Sequence, residues 1–161
     1  MLRLLRPRSA ATLSLLCLLV ACGSGPEDQL EKARAHLAGG DWSEAAAAAS
    51  QGLAAGAEGS TAWRLELAAL EGEARGGRTA EVLARLDRLA AAWSAQVSGA
   101  LYVQTAGQVK EAGDAEGAIG VLDAGARRFP EDADITRAIG QLQASGSEEE
   151  IERLRSLGYV E

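Results

Sequence analysis

The sequence predicts an all-α protein made of helical hairpins, and three observations support this class. Beyond residue 30 the chain is rich in Ala, Leu, Glu, Arg and Gln, which favour helices, and it contains one proline, Pro130. Glycine pairs and Gly-Asp steps divide it into pieces of roughly 12–16 residues, a usual helix length. A similar turn sequence also occurs twice, as GDWSEA at 40–45 and GDAEGA at 113–118, with Gly, Asp and Ala at the same three positions.

The first 21 residues (1–21) are expected to be a secretory signal peptide. They begin with MLRLLRPR, which has three arginines and no acidic residue, and continue with SAATLSLLCLLVA. This apolar run is shorter than the ~20 residues that a membrane-spanning helix needs. A basic start, a short apolar run and small final residues are typical of a secretory signal. A buried N-terminal helix is the alternative.

The predicted signal ends with Leu19, Val20 and Ala21, and Cys22 follows directly, giving the run LVAC. This ending resembles the lipobox of bacterial lipoproteins, which implies cleavage before Cys22 and acylation of its thiol and its new amino group. Several acyl chains hold a protein on a membrane where one does not. By family analogy, Gly23 favours the outer membrane, so the expected location is the cell envelope, lipid-anchored and facing the periplasm, with 22–29 as a lipidated tether. An ordinary signal peptide that contains a cysteine is the alternative.

Cysteine use and charge narrow the classes of partner. The other cysteine, Cys17, would be removed with the signal, so the mature domain has no disulfide and must rest on a hydrophobic core. It would keep all 23 acidic residues but 13 of the 16 basic ones, for a formal charge of −10 instead of −7. Acidic chains bind nucleic acid and anionic lipid poorly. We therefore expect no nucleic-acid partner, and membrane contact through the lipid.

Each repeated turn is interpreted as the end of one helix and the start of the next. Gly40 is expected to end the first helix in the left-handed conformation that glycine adopts at little cost. Asp41 then caps the second helix, and Glu44 completes a capping box. Gly113 and Asp114 repeat this arrangement with half a box, because glycine replaces the glutamate at position 117.

A third turn lies midway, in ARGGRTAEVLARL at 74–86, with Thr79 as the expected cap. Gly77 stands 37 residues after Gly40 and 36 before Gly113. This near-constant spacing predicts helical repeats of roughly 34–40 residues per unit. An up-down helical bundle with coincidental turns is the alternative.

An aromatic position followed by small and apolar positions runs through the last unit. The residues are Tyr102, Thr105, Ala106, Val109, Gly113, Ala118, Leu122 and Pro130. This spacing resembles the tetratricopeptide repeat, although Gly125 stands where that family usually has alanine. The resemblance covers about residues 27–130, more loosely in the two earlier units. It implies a tetratricopeptide-like array of about three hairpins plus a C-terminal capping helix, with the repeat domain at 30–144.

The end of the array is expected to carry a cap, because repeat units bury their faces only against neighbours. A predicted capping helix has Ile135, Ile139 and Leu142 on one face and starts near Asp132 or Asp134.

The segment 145–161 is expected to form a short helix and a tail. Ser147 and Glu150 would open this helix with a capping box, and Gly158 would end it. The closing Tyr159 and Val160 either rest on the cap or form a docking peptide.

The sequence predicts neither an enzyme nor a metal or cofactor site. The chain has one histidine, His36, in the first predicted helix, and its remaining cysteine is the acylated one. It contains no G-x-S-x-G turn and no phosphate-binding P-loop. Glu148, Glu149 and Glu150 are expected to be a solvated helix start, which the helix dipole favours.

In tetratricopeptide proteins the first helix of each unit lines a concave surface, and the resemblance implies such a surface here. The candidate partner-binding residues are Leu30, Arg34, Leu37, Arg64, Glu71, Val103 and Lys110. The basic residues among them could hold a carboxylate of an extended peptide, or they could be ordinary solvated charges.

These observations predict a non-enzymatic, lipid-anchored adaptor that binds another envelope protein or an extended peptide, with envelope assembly or secretion as the setting that family analogy suggests. One alternative is a module that binds a ligand such as a glycan, which exposed aromatic side chains would favour. The three tryptophans Trp42, Trp63 and Trp93 are instead expected to pack within the array. The other alternative is an accessory subunit of an envelope enzyme.

Overall fold

The computed structural model describes residues 25–161, and the structural statements below concern that range. It consists of eight helices without a strand, which confirms the predicted all-α class and hairpin array. The predicted signal peptide and Cys22 lie outside the described residues. The helices are α1 Pro26–Gly39, α2 Trp42–Ala54, α3 Gly59–Arg75, α4 Thr79–Ala92, α5 Gly99–Glu111, α6 Ala115–Arg128, α7 Ala133–Ser145 and α8 Glu148–Ser156. α1 thus begins within the segment expected to be a tether.

The three predicted turns share one backbone geometry. Gly40, Gly77 and Gly113 have φ values of 80°, 70° and 95°, which glycine adopts without strain. In the first turn, the N–H of Gly40 donates to the carbonyl of Leu37 at 3.2 Å, and the next N–H donates to the carbonyl five residues before it at 2.9 Å. The other two turns repeat this pair of bonds, which is the Schellman ending of a helix. Each turn therefore closes a hairpin, as the spacing predicted.

The predicted capping box at the start of α2 is wrong. Asp41 occupies the N-cap position, but its carboxylate accepts no hydrogen bond from a backbone N–H of the helix. Its Oδ2 lies 3.4 Å from Nδ1 of His36 on the other side of the turn. The imidazole is thus a competing partner for the carboxylate, and Glu44 has no box to complete.

The starts of α4 and α6 are linked to each other. Thr79 is not the cap of α4, because Arg78 holds that position and Thr79 is the first helical residue. Its Oγ1 instead donates to Oδ2 of Asp114 at 2.6 Å. Asp114 is the N-cap of α6, as predicted, and its Oδ1 accepts from the N–H of Gly117 at 2.7 Å.

The two C-terminal helices have the caps that the sequence predicted. Oδ1 of Asp132 accepts from the backbone N–H groups of Asp134 and Ile135 at 2.9 and 3.1 Å. At the start of α8, the N–H of Ser147 donates to Glu150 Oε2 at 2.7 Å, and the N–H of Glu150 donates to Ser147 Oγ at 3.3 Å. Both orphan donors are satisfied reciprocally, which is a complete capping box.

The C-terminal tail folds back on the end of the array. Gly158 has a φ of 84° and ends α8 as predicted. The hydroxyl of Tyr159 donates to Oδ1 of Asp123 on α6 at 3.1 Å, and its carbonyl accepts from Nε2 of Gln143 on α7 at 2.5 Å. Tyr159 and Val160 also pack against the core. Of the two expectations for this tail, the one in which it rests on the cap agrees with these contacts.

The hairpins stack in chain order. α1 packs beside α3, α3 beside α5 and α5 beside α7, while α2, α4 and α6 each pack against the odd-numbered helix before them. α8 lies against α6 and α7. This order puts the first helix of every unit on one side of the array, which is the side that positions the candidate site.

α2 and α3 approach most closely where the sequence is poorest in large side chains. A Cβ on Gly72 would lie 2.6 Å from the carbonyl oxygen of Trp42, and one on Gly52 would lie 2.8 Å from Cδ1 of Leu65. The Cβ of Ala46 would lie 3.1 Å from the same added atom on Gly72, so this alanine of α2 is at the contact. The alanine-rich helix α2 therefore packs closely against α3, because small side chains allow the two backbones to approach each other.

The core has two parts that meet at α3. The part from α1 to α3 is small and rich in alanine, and the part from α3 to α8 contains the larger side chains. The fully buried large residues of the second part include Leu70, Leu86, Leu89, Tyr102, Ile119, Ile135 and Leu154. Without disulfides in this range, burial of these side chains is the main source of stability.

Candidate functional site

An open groove of about 360 Å³ runs across the first helices of the three hairpins. Arg34 and Leu37 of α1 form one wall, and α3 forms the floor. The remaining lining residues are Arg64, Leu67, Ala68, Leu70 and Glu71 of α3 and Leu101, Gln104, Thr105 and Gln108 of α5. Ala68, Leu70, Thr105 and Gln108 are buried, whereas Arg34, Arg64 and Gln104 are exposed.

Four of the seven predicted partner-binding residues line this groove: Arg34, Leu37, Arg64 and Glu71. Leu30 does not, because its side chain is 6% exposed and packs in the core between α1, α2 and α3. The expectation that Leu30 faces a partner is therefore corrected.

The remaining two predicted residues, Val103 and Lys110, lie in a separate slot between α5, α6 and α7. The slot has a volume of about 300 Å³, and its walls include Leu122 of α6 and Leu142 of α7. Nζ of Lys110 donates to Oε1 of Glu150 at 2.6 Å, so this cation is already paired within the chain.

Sequence reasoning missed Leu101, Gln104 and Gln108, and the repeat spacing contained the signal. These residues lie 37 positions after Arg64, Leu67 and Glu71 respectively, and all six line the groove. Counting ten residues back from the turn gives Leu67 before Gly77 but Val103 before Gly113, which is the neighbour of Gln104, because the last turn follows after 36 residues and not 37. One residue rotates a helix position by about 100°, which moves the choice from the groove to the slot.

The charge that the groove offers to a ligand is positive. Among the described residues, Arg34 and Arg64 have no hydrogen-bond or ion-pair partner, and both are exposed. Glu71, in contrast, accepts from Nε of Arg75 at 3.0 Å. Arg75 also donates to Glu111 of α5 at 3.3 Å and lies 5.3 Å above the ring of Trp42. The one acidic group of the groove is therefore neutralised, and two arginines remain open.

The Trp63 and Trp93 rings pack against each other. Their centroids are 5.6 Å apart, which joins α3 to the residue that follows α4. Both are partly buried against the core. With Trp42 beneath Arg75, each tryptophan contacts a side chain of the protein, as expected for rings that pack within the array.

A second charged cluster lies inside the hairpin of α3 and α4. Nε and Nη2 of Arg85 donate to the two oxygens of Glu73 at 2.8 and 2.7 Å, and Nη1 donates to Glu66 at 2.5 Å. The exposed fractions are 7% for Arg85, 7% for Glu73 and 19% for Glu66. Burial alone would lower the pKa of Arg85, but the two carboxylates raise it overall. This cluster is closed to a ligand and belongs to the packing of the hairpin.

Glu150 is held in its charged form. The hydrogen bond from Lys110 lowers the pKa of this carboxyl below its usual value, and the backbone N–H of Ser147 lowers it further. The side chain therefore ties α8 to α5 as a carboxylate.

Residues 25–161 contain neither a membrane-spanning helix nor a cluster of metal ligands. No helix in this range is long and apolar enough to cross a membrane. No group of three or more His, Cys, Asp or Glu side chains there is arranged to hold a metal ion.

Comparison of the chain with protein-family models, with curated proteins and with solved structures finds no match.

Proposed function

We propose that this protein is a non-enzymatic adaptor that holds an extended, acidic segment of another envelope protein in the groove of α1, α3 and α5. The observation that carries the proposal is the pair of exposed, unpartnered arginines, Arg34 and Arg64, in one groove of a strongly acidic protein. Arginine guanidinium groups bind carboxylates through paired hydrogen bonds, and the leucines that line the groove provide apolar contact area.

The repeated spacing of the groove residues supports a tetratricopeptide-like mode of binding. Positions 34, 71 and 108 are each 37 residues apart, and all three line the groove on successive first helices. An extended segment would thus meet an equivalent position of each unit in turn. Such segments present side chains at ~3.3 Å intervals per residue, which suits a groove that crosses several helices.

The glycan-binding alternative has less support. Ring faces of tryptophans are the usual platforms for sugars, but Trp63 and Trp93 pack against each other and Trp42 lies beneath Arg75.

The lipid anchor is part of the same proposal. Acylation of Cys22 would hold the protein on the envelope membrane, and we propose the outer membrane with the repeats facing the periplasm. A tethered adaptor has a high effective concentration for a co-anchored partner, so that a weak contact suffices.

Site-specific photo-crosslinking in the native envelope tests the groove. A photoreactive residue at Gln104, which is exposed in the groove, should capture a defined protein, whereas one at Ser50, exposed on α2, should not. Arg64→Glu should abolish the adduct by placing an acid where the partner's carboxylate binds. The matched control is Arg88→Glu, which makes the same change of charge at an exposed position of α4. Equal adducts from Gln104 and Ser50, or an adduct that survives Arg34→Glu and Arg64→Glu, would contradict the proposal.

Fractionation of a Cys22→Ser variant tests the anchor. The variant should leave the membrane fraction in cells that lack the captured partner. If it remains with the membranes under that condition, the lipid-anchor part of the proposal fails. The proposal that the groove binds a partner is not affected by that result.

A further inference from the structure

The groove and the slot lie on opposite flanks of the same helix, α5. Leu101, Gln104 and Gln108 face the groove, while Val103 and Gly107 face the slot. α5 is therefore a ridge between two concavities, and a segment that lies in the groove meets the slot as soon as it crosses that ridge.

The crest of the ridge has no side chain at its middle. Gly107 is exposed, lies in the interior of α5 at the edge of the slot and directly precedes the groove residue Gln108. A Cβ at this position would meet no other atom within 4 Å. Packing inside the protein therefore does not require glycine here, although glycine weakens a helix relative to alanine. Close approach of another backbone is a physical reason to keep such a position bare.

The two concavities differ in the chemistry that they offer. The groove presents the open charges of Arg34 and Arg64, which favour an acidic residue. The slot is lined largely by apolar side chains, including Leu122 and Leu142, and its cation Lys110 is already bonded to Glu150. A side chain that enters the slot is therefore favoured by apolar burial and not by charge.

We propose that one extended segment occupies both concavities, with an acidic residue at Arg34 and Arg64, its backbone across Gly107 and an apolar side chain in the slot. This inference rests on the proposed function and names the sequence pattern that the partner carries. Neighbouring helices pack about 10 Å apart, so the path from α3 to the gap between α5 and α7 is about 15 Å. At about 3.3 Å per extended residue, the acidic and the apolar residue are separated by about four to five positions.

Selection from a displayed library of random 12-residue peptides on the full chain tests this pattern. Enriched peptides should share an Asp or Glu and, about four to five positions away, a Leu, Ile, Val or Phe. Replacement of that apolar residue by alanine in a selected peptide should weaken binding about tenfold or more, measured by fluorescence anisotropy with the labelled peptide.

Variants of the protein separate this inference from the proposed function. Gly107→Gln fills the crest with a good helix former and should weaken the selected peptides about tenfold or more. Gly120→Gln is the matched control on α6, where a Cβ also meets nothing within 4 Å, and it should leave binding unchanged. Thermal unfolding of both variants should show that the fold is kept.

Peptides that depend on Arg34 and Arg64 but tolerate Gly107→Gln and the loss of their apolar residue would overturn the two-concavity path and leave the adaptor function standing. A selection without any peptide that depends on Arg34 or Arg64 would overturn both.

Discussion

Thr79 and Asp114 join two successive hairpins through one short hydrogen bond. Oγ1 of Thr79 donates to Oδ2 of Asp114 at 2.6 Å, while the other carboxylate oxygen caps α6. A Cβ on Gly117 would lie 2.7 Å from Cγ2 of Thr79. The glycine that interrupts the second capping box is thus explained, because the carboxylate of Asp114 and the Thr79 side chain of the neighbouring repeat together occupy the space that a larger residue would need.

Thr79→Val should reduce stability by about 0.5–1.5 kcal/mol, because it removes a hydrogen bond and keeps the shape of the side chain. Thr79→Ser, which retains the hydroxyl, should restore most of the loss. Urea denaturation followed by circular dichroism measures both. If Thr79→Val and Asp114→Ala have strictly additive effects in a double-mutant cycle, the two residues are not coupled and the link is not important for stability.

The hairpin of α3 and α4 should be sensitive to loss of Arg85. Arg85→Met leaves Glu73 buried without its partner, and breaking a buried pair on one side costs about 3–5 kcal/mol. The double variant Arg85→Met, Glu73→Leu should recover most of the loss, since the fully buried carboxylate is removed and only the partly exposed Glu66 loses its partner. Denaturant titration provides the free energies of unfolding.

The control for this pair is Arg88→Met, one turn along the same helix but exposed. It should change stability by less than about 0.5 kcal/mol. A similar loss for Arg85→Met and Arg88→Met would mean that the buried ion cluster does not hold the hairpin.

The turns were predictable because their backbone requires a particular residue. The left-handed conformations at Gly40, Gly77 and Gly113 each close a helix in the same way, so glycine spacing alone revealed the hairpins. The cap at Asp41 was not predictable, because its carboxylate has two candidate partners and lies next to His36 instead of a helix N–H. When a side chain has several partners within reach, three-dimensional contacts decide which of them it bonds to.

The spacing of the turns predicted the groove residues of the first two units but not those of the third. Arg34, Arg64 and Glu71 follow from the spacing of the first two turns, but Gln104 and Gln108 do not follow from the third. The distance from Gly77 to Gly113 is 36 residues, whereas equivalent groove residues of the second and third units are 37 residues apart. The orientation of α5 is instead fixed by burial of side chains such as Tyr102, which only the packed array reveals.

Attachment of α8 should depend on pH through Glu150. Its pKa is lowered in the folded protein, chiefly by the hydrogen bond from Lys110, so the folded state favours the carboxylate more than the unfolded state does. The corresponding stability is present above the unfolded pKa, whose ordinary value is 4.5, and is lost as pH falls through the lower folded pKa.

The advantage of the wild type over Glu150→Gln should therefore be constant near neutral pH and shrink below pH 4.5. Urea titrations of both proteins between about pH 7 and pH 3 measure the difference. Glu149→Gln is the matched control, since this neighbouring carboxylate is exposed. A Glu150→Gln difference that stays constant over the whole range, or a Glu149→Gln difference that changes equally, would contradict the assignment.

Two glycine-to-alanine substitutions should have opposite effects. Gly72→Ala places a Cβ 2.6 Å from the carbonyl oxygen of Trp42 and 3.0 Å from the backbone nitrogen of Ala46, so α2 and α3 must move apart. We expect a loss of about 1–3 kcal/mol, as for other overpacked contacts. Gly120→Ala adds a Cβ that meets nothing within 4 Å, and should stabilise α6 by about 0.5–1 kcal/mol through helix propensity. Urea denaturation gives the free energy of unfolding of both variants. A stabilising Gly72→Ala would show that the close contact of α2 and α3 does not limit the packing of the first two hairpins.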